Sequence, residues 1–253
     1  EYGFGLEGIL KIRSEDLYGI LNGIDYSVYN PLTDPHIFYP IKTYEDKLKN
    51  KKKLQEYLNL PQKKSATIVS FIGRLYEQKG IDLIKNMIKY LLLTDIQFVI
   101  LGTGNENYEG FFKSLENEFP QKVSINITFD TDLAQKIYAG SDIFLMPSRY
   151  EPCGLGQMYS MRYGTIPVVR YTGGLEDTVI EYDPISKVGT GFGFYEYNES
   201  ELLMTSLKAV YYHQKKKDDW KILFQNCMGA DFSYDKSAKE YLELYKKAMS
   251  KKS

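Results

Sequence analysis

Two short segments combine charge and glycine in ways that could do chemistry. GRLYEQKG (73–80) sets Arg74 and Lys79 on one short connection that ends in Gly80. Arginine offers a planar bidentate fork and lysine a point charge, and a helix start beyond them adds partial positive charge, a combination that suits a pyrophosphate. PSRYEPCGLGQ (147–157) carries Glu151 and Cys153, then Gly154, Leu155 and Gly156. A carboxylate there can accept hydrogen bonds from sugar hydroxyls, while the amides of the glycine segment face a phosphate. The two segments together address both halves of a nucleotide sugar. Two further glycine turns, GTGN with Gly102 and Gly104, and TGGLEDT with Thr172, Gly173 and Gly174, could bring backbone close to the same ligand. Taken singly, each segment also fits a plain surface turn with solvated charges, or a glutamate that favours a helix dipole by ~0.3–1 kcal/mol.

The elements that must hold these loops follow from hydrophobic period. ATIVSFI (66–72), IQFVILG (96–102), KVSINIT (122–128), DIFLMP (142–147) and TIPVVR (165–170) are short β-branched or aromatic runs, which predicts strands. Between them, Ile81, Ile84, Ile88 and Leu91 recur at steps of three and four, and 105–119, 131–140 and 154–163 have crossover-helix lengths. The pattern is βαβ repeated, so the expected fold is α/β, a Rossmann-like parallel sheet flanked by helices. The loops above follow predicted strands, and in such sheets ligands bind at the carboxyl ends of the strands. Upstream, residues 42–64 carry eight lysines with an apolar stripe of Leu54, Tyr57 and Leu58, predicting a helix whose lysines form its wet face. Downstream, Ala238, Tyr241, Leu242, Tyr245, Ala248 and Met249 mark one face of a long terminal helix, with Asp231 or Ser233 as its cap.

Composition narrows the function classes. The 253 residues are 43% hydrophobic and 26% charged, with a net charge of −1, the profile of a folded protein and not of a dedicated nucleic-acid or anionic-membrane binder. Cys153 and Cys227 are too few for a disulfide scaffold, and with only His36 and His213 there is no metal-ligand cluster, so no metal is expected. No apolar run approaches the ~18 residues of a membrane span. The opening EYGFGLEG lacks an initiating Met and the pattern of a signal peptide, so the chain is expected to begin in mid-protein.

Along nearly its whole length the chain resembles the bacterial-type glycogen synthases and plant starch synthases. EYGFGLEG, GILNGIDYSVYNPLTD (19–34), GRLYEQKG, PSRYEPCGLGQMYSMRYGTIPVVRYTGGLEDTV (147–179) and DFSYDKSAKEY (231–241) match family segments in the family's order. The resemblance implies the two-domain GT-B fold, with this chain as its carboxy-terminal, donor-binding domain, and transfer of glucose from ADP-glucose to an α-1,4-glucan with no cofactor. It also implies roles. Arg74 and Lys79 hold the leaving diphosphate, Glu151 lies at the donor sugar, Cys153 is the motif cysteine, and the Gly154 and Leu155 amides face phosphate. Phe129 stands where relatives stack a tyrosine on adenine, and Asn22 lines the cleft wall.

Some positions depart from that pattern. Tyr159 occupies the place of a ribose-gripping glutamate in more distant transferases, Gly156 replaces an expected threonine, and the Lys-x-Gly-Gly motif of the family's amino-terminal domain does not occur. By the same comparison residues 1–17 are the tail of that missing domain, 18–230 the nucleotide-sugar domain and 231–253 a crossover helix, with hinges near Tyr18 and at Met228 to Phe232. The expected partners are ADP or ADP-glucose, the glucan and the amino-terminal domain, with no nucleic acid and no membrane. The expected compartment is the cytoplasm of a bacterium or the plastid of a plant.

Overall fold

A computed structural model describes residues 5–250; the first four residues of EYGFGLEG lie outside it. In chain order the helices are α1 (Glu7–Ile12), α2 (Tyr44–Tyr57), α3 (Ile81–Leu91), α4 (Glu106–Glu118), α5 (Thr131–Gly140), α6 (Gly156–Arg162), α7 (Gly174–Thr178), α8 (Glu199–Lys215), α9 (Lys217–Gly229) and α10 (Tyr234–Ser250). The strands are β1 (Thr67–Ile72), β2 (Ile96–Leu101), β3 (Val123–Asn126), β4 (Ile143–Met146), β5 (Ile166–Arg170) and β6 (Phe192–Phe194). They form one sheet in the order β3-β2-β1-β4-β5-β6, with every pairing parallel. This is the expected Rossmann-like α/β fold. β6, a three-residue Phe-Gly-Phe, is too short to carry an alternation signal and was not anticipated.

Alternation along the strands divides the core. β1 and β2 pair Val69 with Phe98 and Phe71 with Ile100, and these residues pack with Ile84, Met87 and Ile88 of α3. On the other face Ile68, Val99 and Leu101 meet Leu54 of α2 and Leu133 and Ile137 of α5. A strand covered on both sides needs no polar positions, which is why these read as continuous apolar runs. Each buried aliphatic side chain contributes roughly 1.5–3 kcal/mol.

The lysine-rich helix departs from expectation. Leu54 is buried as predicted, but Tyr57 is exposed, and Lys47 and Lys51 are each only 2% exposed. Lys47 Nζ donates to the carbonyls of Tyr138 (2.8 Å) and Tyr163 (2.9 Å). Lys51 Nζ lies 2.7 Å from Asp142 Oδ2 and donates to the Ala66 carbonyl at 2.6 Å. Asp142 also accepts from the Ile68 amide at 2.7 Å and sits 3.2 Å from His213 Nε2. Buried charges persist when they are paired and fully hydrogen-bonded. This cluster locks α2 and α8 to the amino ends of β1 and β4, opposite the loops singled out above.

At the chain ends the two linkers run side by side. Ile24 N donates to Phe232 O at 2.7 Å, and Tyr26 Oη bridges the Ala230 carbonyl and the Phe232 amide. α10 buries none of its residues; Tyr241, Leu242, Tyr245 and Met249 are all exposed. The predicted cap region is ordered by Asp231, which accepts from the Ser233 amide at 2.9 Å.

Candidate functional site

The strand order reverses between β1 and β4, and the loops that follow these two strands carry Lys79 and Glu151. A crevice outside the carboxyl ends of neighbouring strands at such a reversal is where open α/β sheets bind ligands. Lys79 closes a 3-10 turn, Glu77–Lys79. Gly80 follows with φ +73°, and a Cβ there would stand 2.0 Å from the Pro147 carbonyl oxygen. Only glycine lets the two loops approach this closely. At the contact, Lys79 Nζ lies 2.5 Å from Glu151 Oε2, the Glu151 side chain 8% and the Lys79 side chain 25% exposed. Ser148 Oγ donates to the same oxygen at 3.2 Å.

Glu151 therefore does not serve the helix that follows. The predicted start near Gly154 is displaced to Gly156, and α6 is short. Gly154 takes φ +72°, and a Cβ there would stand 3.1 Å from Glu151 Cγ. Gln157 Nε2 draws the Cys153 and Gly154 carbonyls inward at 3.2 and 3.0 Å. A trans peptide directs its N–H opposite to its C=O, so the amides of Gly154 and Leu155 point away from Gln157. Cys153 is a half-buried free thiol. At Gly156 a Cβ would press on the Phe144 ring at 3.0 Å and on Met146 Sδ at 3.3 Å, a packing reason for glycine in place of threonine.

Arg74 occupies a separate part of the site. Its guanidinium is exposed and donates to Gln78 Oε1 at 2.9 Å. With Gly102, Thr103, Phe129 and Ala134 it lines a cavity of about 200 Å³ at the ends of β1, β2 and β3. Phe129 is 89% exposed there, a ring face open for stacking. The candidate site residues thus fall in two parts, an apolar slot beside Arg74 and the Lys79–Glu151 pair.

The glycine turns are used differently from expectation. What approaches Gly102 and Gly104 is protein: their Cβ positions lie 1.9 Å from Gly73 O and 2.5 Å from Leu75 O, and Leu75 N donates to Thr103 O at 2.9 Å. The Thr172 turn supports the Glu151 loop from behind. The Gly174 amide donates to Glu151 O at 3.2 Å, and Cβ positions at Gly173 and Gly174 fall 2.3 Å from the carbonyl oxygens of Glu151 and Cys153. Asn22 is exposed in the paired linkers. Tyr159 stacks on Tyr29 with centroids 3.8 Å apart. The sequence reading missed Ser148 and Gln157; both lie inside the quoted motif, and their polar side chains at buried positions were the available signal.

The chain is similar to known proteins along nearly its whole length. Over 252 residues the chain is 71% identical to glycogen synthase of Petrotoga mobilis, covering 100% of this chain and 52% of that protein. It is 58% identical to glycogen synthase of Thermotoga petrophila, covering 99% and 52%. The chain spans about half the length of the curated relatives it matches. The catalytic domain of starch synthase IV from Arabidopsis thaliana, solved with ADP and acarbose, superposes with a TM-score of 0.90 at 36% identity, over 98% of this chain and 52% of that one. Residues 51–222 match the family described as glycosyl transferases group 1. That match encloses all six strands and both loops of the site, and the chain belongs to the group 1 glycosyl transferases.

Proposed function

We propose that this chain is the carboxy-terminal, donor-binding half of an ADP-glucose-dependent α-1,4-glucan synthase, in which residues 1–17 are the tail of the other domain, 18–230 bind the donor and 231–253 cross back. The observation that carries the reading is the Lys79–Glu151 pair at the switch point. In the free site each charge neutralises the other. When a nucleotide sugar enters, Lys79 turns to the diphosphate, Glu151 accepts from sugar hydroxyls, and the adenine stacks on Phe129 beside Arg74.

Catalysis is then electrostatic. As the bond from the anomeric carbon to the diphosphate stretches, negative charge grows on the leaving phosphate. Arg74, Lys79 and the amides of Gly154 and Leu155 stabilise it, and one such donor is typically worth roughly 10²–10³ in rate. The leaving ADP steers the acceptor 4-hydroxyl to the same face of the sugar, giving retention without a protein nucleophile or a metal. The transferred glucose meets groups from both domains, so this half alone leaves it open to water and inactive. The exposed apolar face of α10 packs on the amino-terminal domain, since a stripe of that length is seldom left in water. The bacterial relatives favour the cytoplasm as the compartment.

Calorimetric titration with ADP tests the reading. Arg74→Ala and Lys79→Ala each remove a charge-assisted contact worth ~1.5–3 kcal/mol, a loss of roughly 10- to 150-fold in affinity. If the parent chain fails to bind ADP, or both variants bind it equally well, the assignment is wrong.

A further inference from the structure

Tyr197 lies in the connection from β6 to α8, outside every motif of the site, yet it touches both catalytic loops. Its hydroxyl donates to Asp82 Oδ1 at 2.6 Å and stands 3.0 Å from the Glu77 carbonyl oxygen. These contacts bracket Lys79, one on the 3-10 turn that carries it and one on the first turn of α3. Two guanidiniums lie over the Tyr197 ring, Arg149 at 4.5 Å and Arg170 at 5.5 Å from its centroid. Arg149 belongs to the Glu151 loop. Its amide donates to Gln78 O at 2.9 Å, and its own carbonyl accepts from Arg170 at 2.7 Å. Arg170 in turn holds the Tyr195 carbonyl at 2.8 Å.

Three loop ends, after β1, β4 and β6, therefore converge on one phenol. A guanidinium over an aromatic face and a hydroxyl to a carboxylate are directional contacts, and together they resist relative sliding of the loops. Such sliding would change the separation of Lys79 and Glu151, and a misplacement of about 1 Å in a site of this kind can cost on the order of 10² in rate. We propose that Tyr197 is a positioning residue that holds the Lys79 turn in register with the Glu151 loop, so that the ammonium is placed for the donor's phosphates.

The inference rests on the proposed nucleotide site and is tested on the same chain. Tyr197→Phe keeps the ring and removes the hydroxyl, and Asp82→Asn weakens the bond from its other end. ADP and adenosine are titrated in parallel, adenosine by ligand-observed NMR, because adenosine reports the Phe129 slot without the phosphates. Both variants are expected to lose on the order of 3- to 10-fold in ADP affinity and nothing in adenosine affinity, and the double variant to lose no more than the larger single one. Equal losses for both ligands would show a general structural role and overturn the proposal, as would ADP affinity at the parent level in both variants. A parent chain that binds adenosine and ADP alike would overturn the phosphate site itself.

Discussion

Gly80→Ala perturbs the site without removing a functional group. The alanine Cβ would lie 2.0 Å from Pro147 O and 2.6 Å from Pro147 C, against backbone that cannot rotate aside. Restoring ordinary contact at 3.4 Å requires the β1 and β4 loops to part by about 1.4 Å. Placing a non-glycine residue at φ +73° costs ~1–2 kcal/mol, and forcing a methyl into a packed contact adds ~1–3 kcal/mol. The expected destabilisation of ~2–5 kcal/mol lowers the melting temperature of a chain this long by roughly 4–20 °C. Because the loops part where Lys79 meets Glu151, ADP affinity falls with it. Differential scanning calorimetry and ADP titration on the same preparation read both effects. Gly110→Ala supplies the control: Gly110 is an exposed position in α4 with nothing within 4 Å of its Cβ, where alanine stabilises by ~0.5–1 kcal/mol. A Gly80→Ala chain that melts with the parent and binds ADP equally well would refute the close approach and the site built upon it.

Glu151→Gln in a complete enzyme is expected to leave ADP affinity within a few-fold and to cut kcat, because the carboxylate is assigned to the sugar; steady-state kinetics with ADP inhibition separates the two, and lost ADP binding with normal turnover would move Glu151 to the nucleotide. Lys51→Met strips Asp142 of its buried cation and is expected to cost ~3–5 kcal/mol in denaturant unfolding; a change under ~1 kcal/mol would show that the pair is dispensable. Stability is expected to fall on acidification. Burial lowers His213 below its ordinary 6.5 despite the neighbouring Asp142, so below pH 6.5 the unfolded chain binds a proton that the folded one refuses. For Asp142, burial alone would raise the carboxyl, but His213 and Lys51 beside it hold it well below 3.8, so its contribution is lost as pH falls from 3.8. Denaturant unfolding at pH 7.5, 5.5 and 3.5 should give a steady decline, flattened between the first two by His213→Gln; stability that rises from pH 7.5 to 5.5 would contradict the sign.

The sequence alone determined the class of fold and where its charged, glycine-bearing loops lie. Strands buried on both faces must be continuous apolar runs, so five of six were legible, and glycine, arginine and lysine after them marked where a diphosphate could be held. The family motifs carried the expectation that Glu151 and Phe129 serve one ligand. Only the tertiary structure decided which residues meet. Lys79 and Glu151 are 72 positions apart, and no local period states that β1 and β4 become neighbours. Lys47 and Lys51 read as solvated because helical period ranks faces by polarity, whereas their burial depends on carbonyls and on Asp142, supplied by other elements. The glycines of 102 and 104 are set by the approach of another loop, visible only once β2 lies beside β1. Tyr197 gave no signal at all, since a tyrosine in a polar connection acquires its role from Asp82, Arg149 and Arg170, brought to it by the start of α3, the loop after β4 and the end of β5. Local pattern encodes what a segment needs to bury, and the partners that satisfy it are chosen by the packing of the whole sheet.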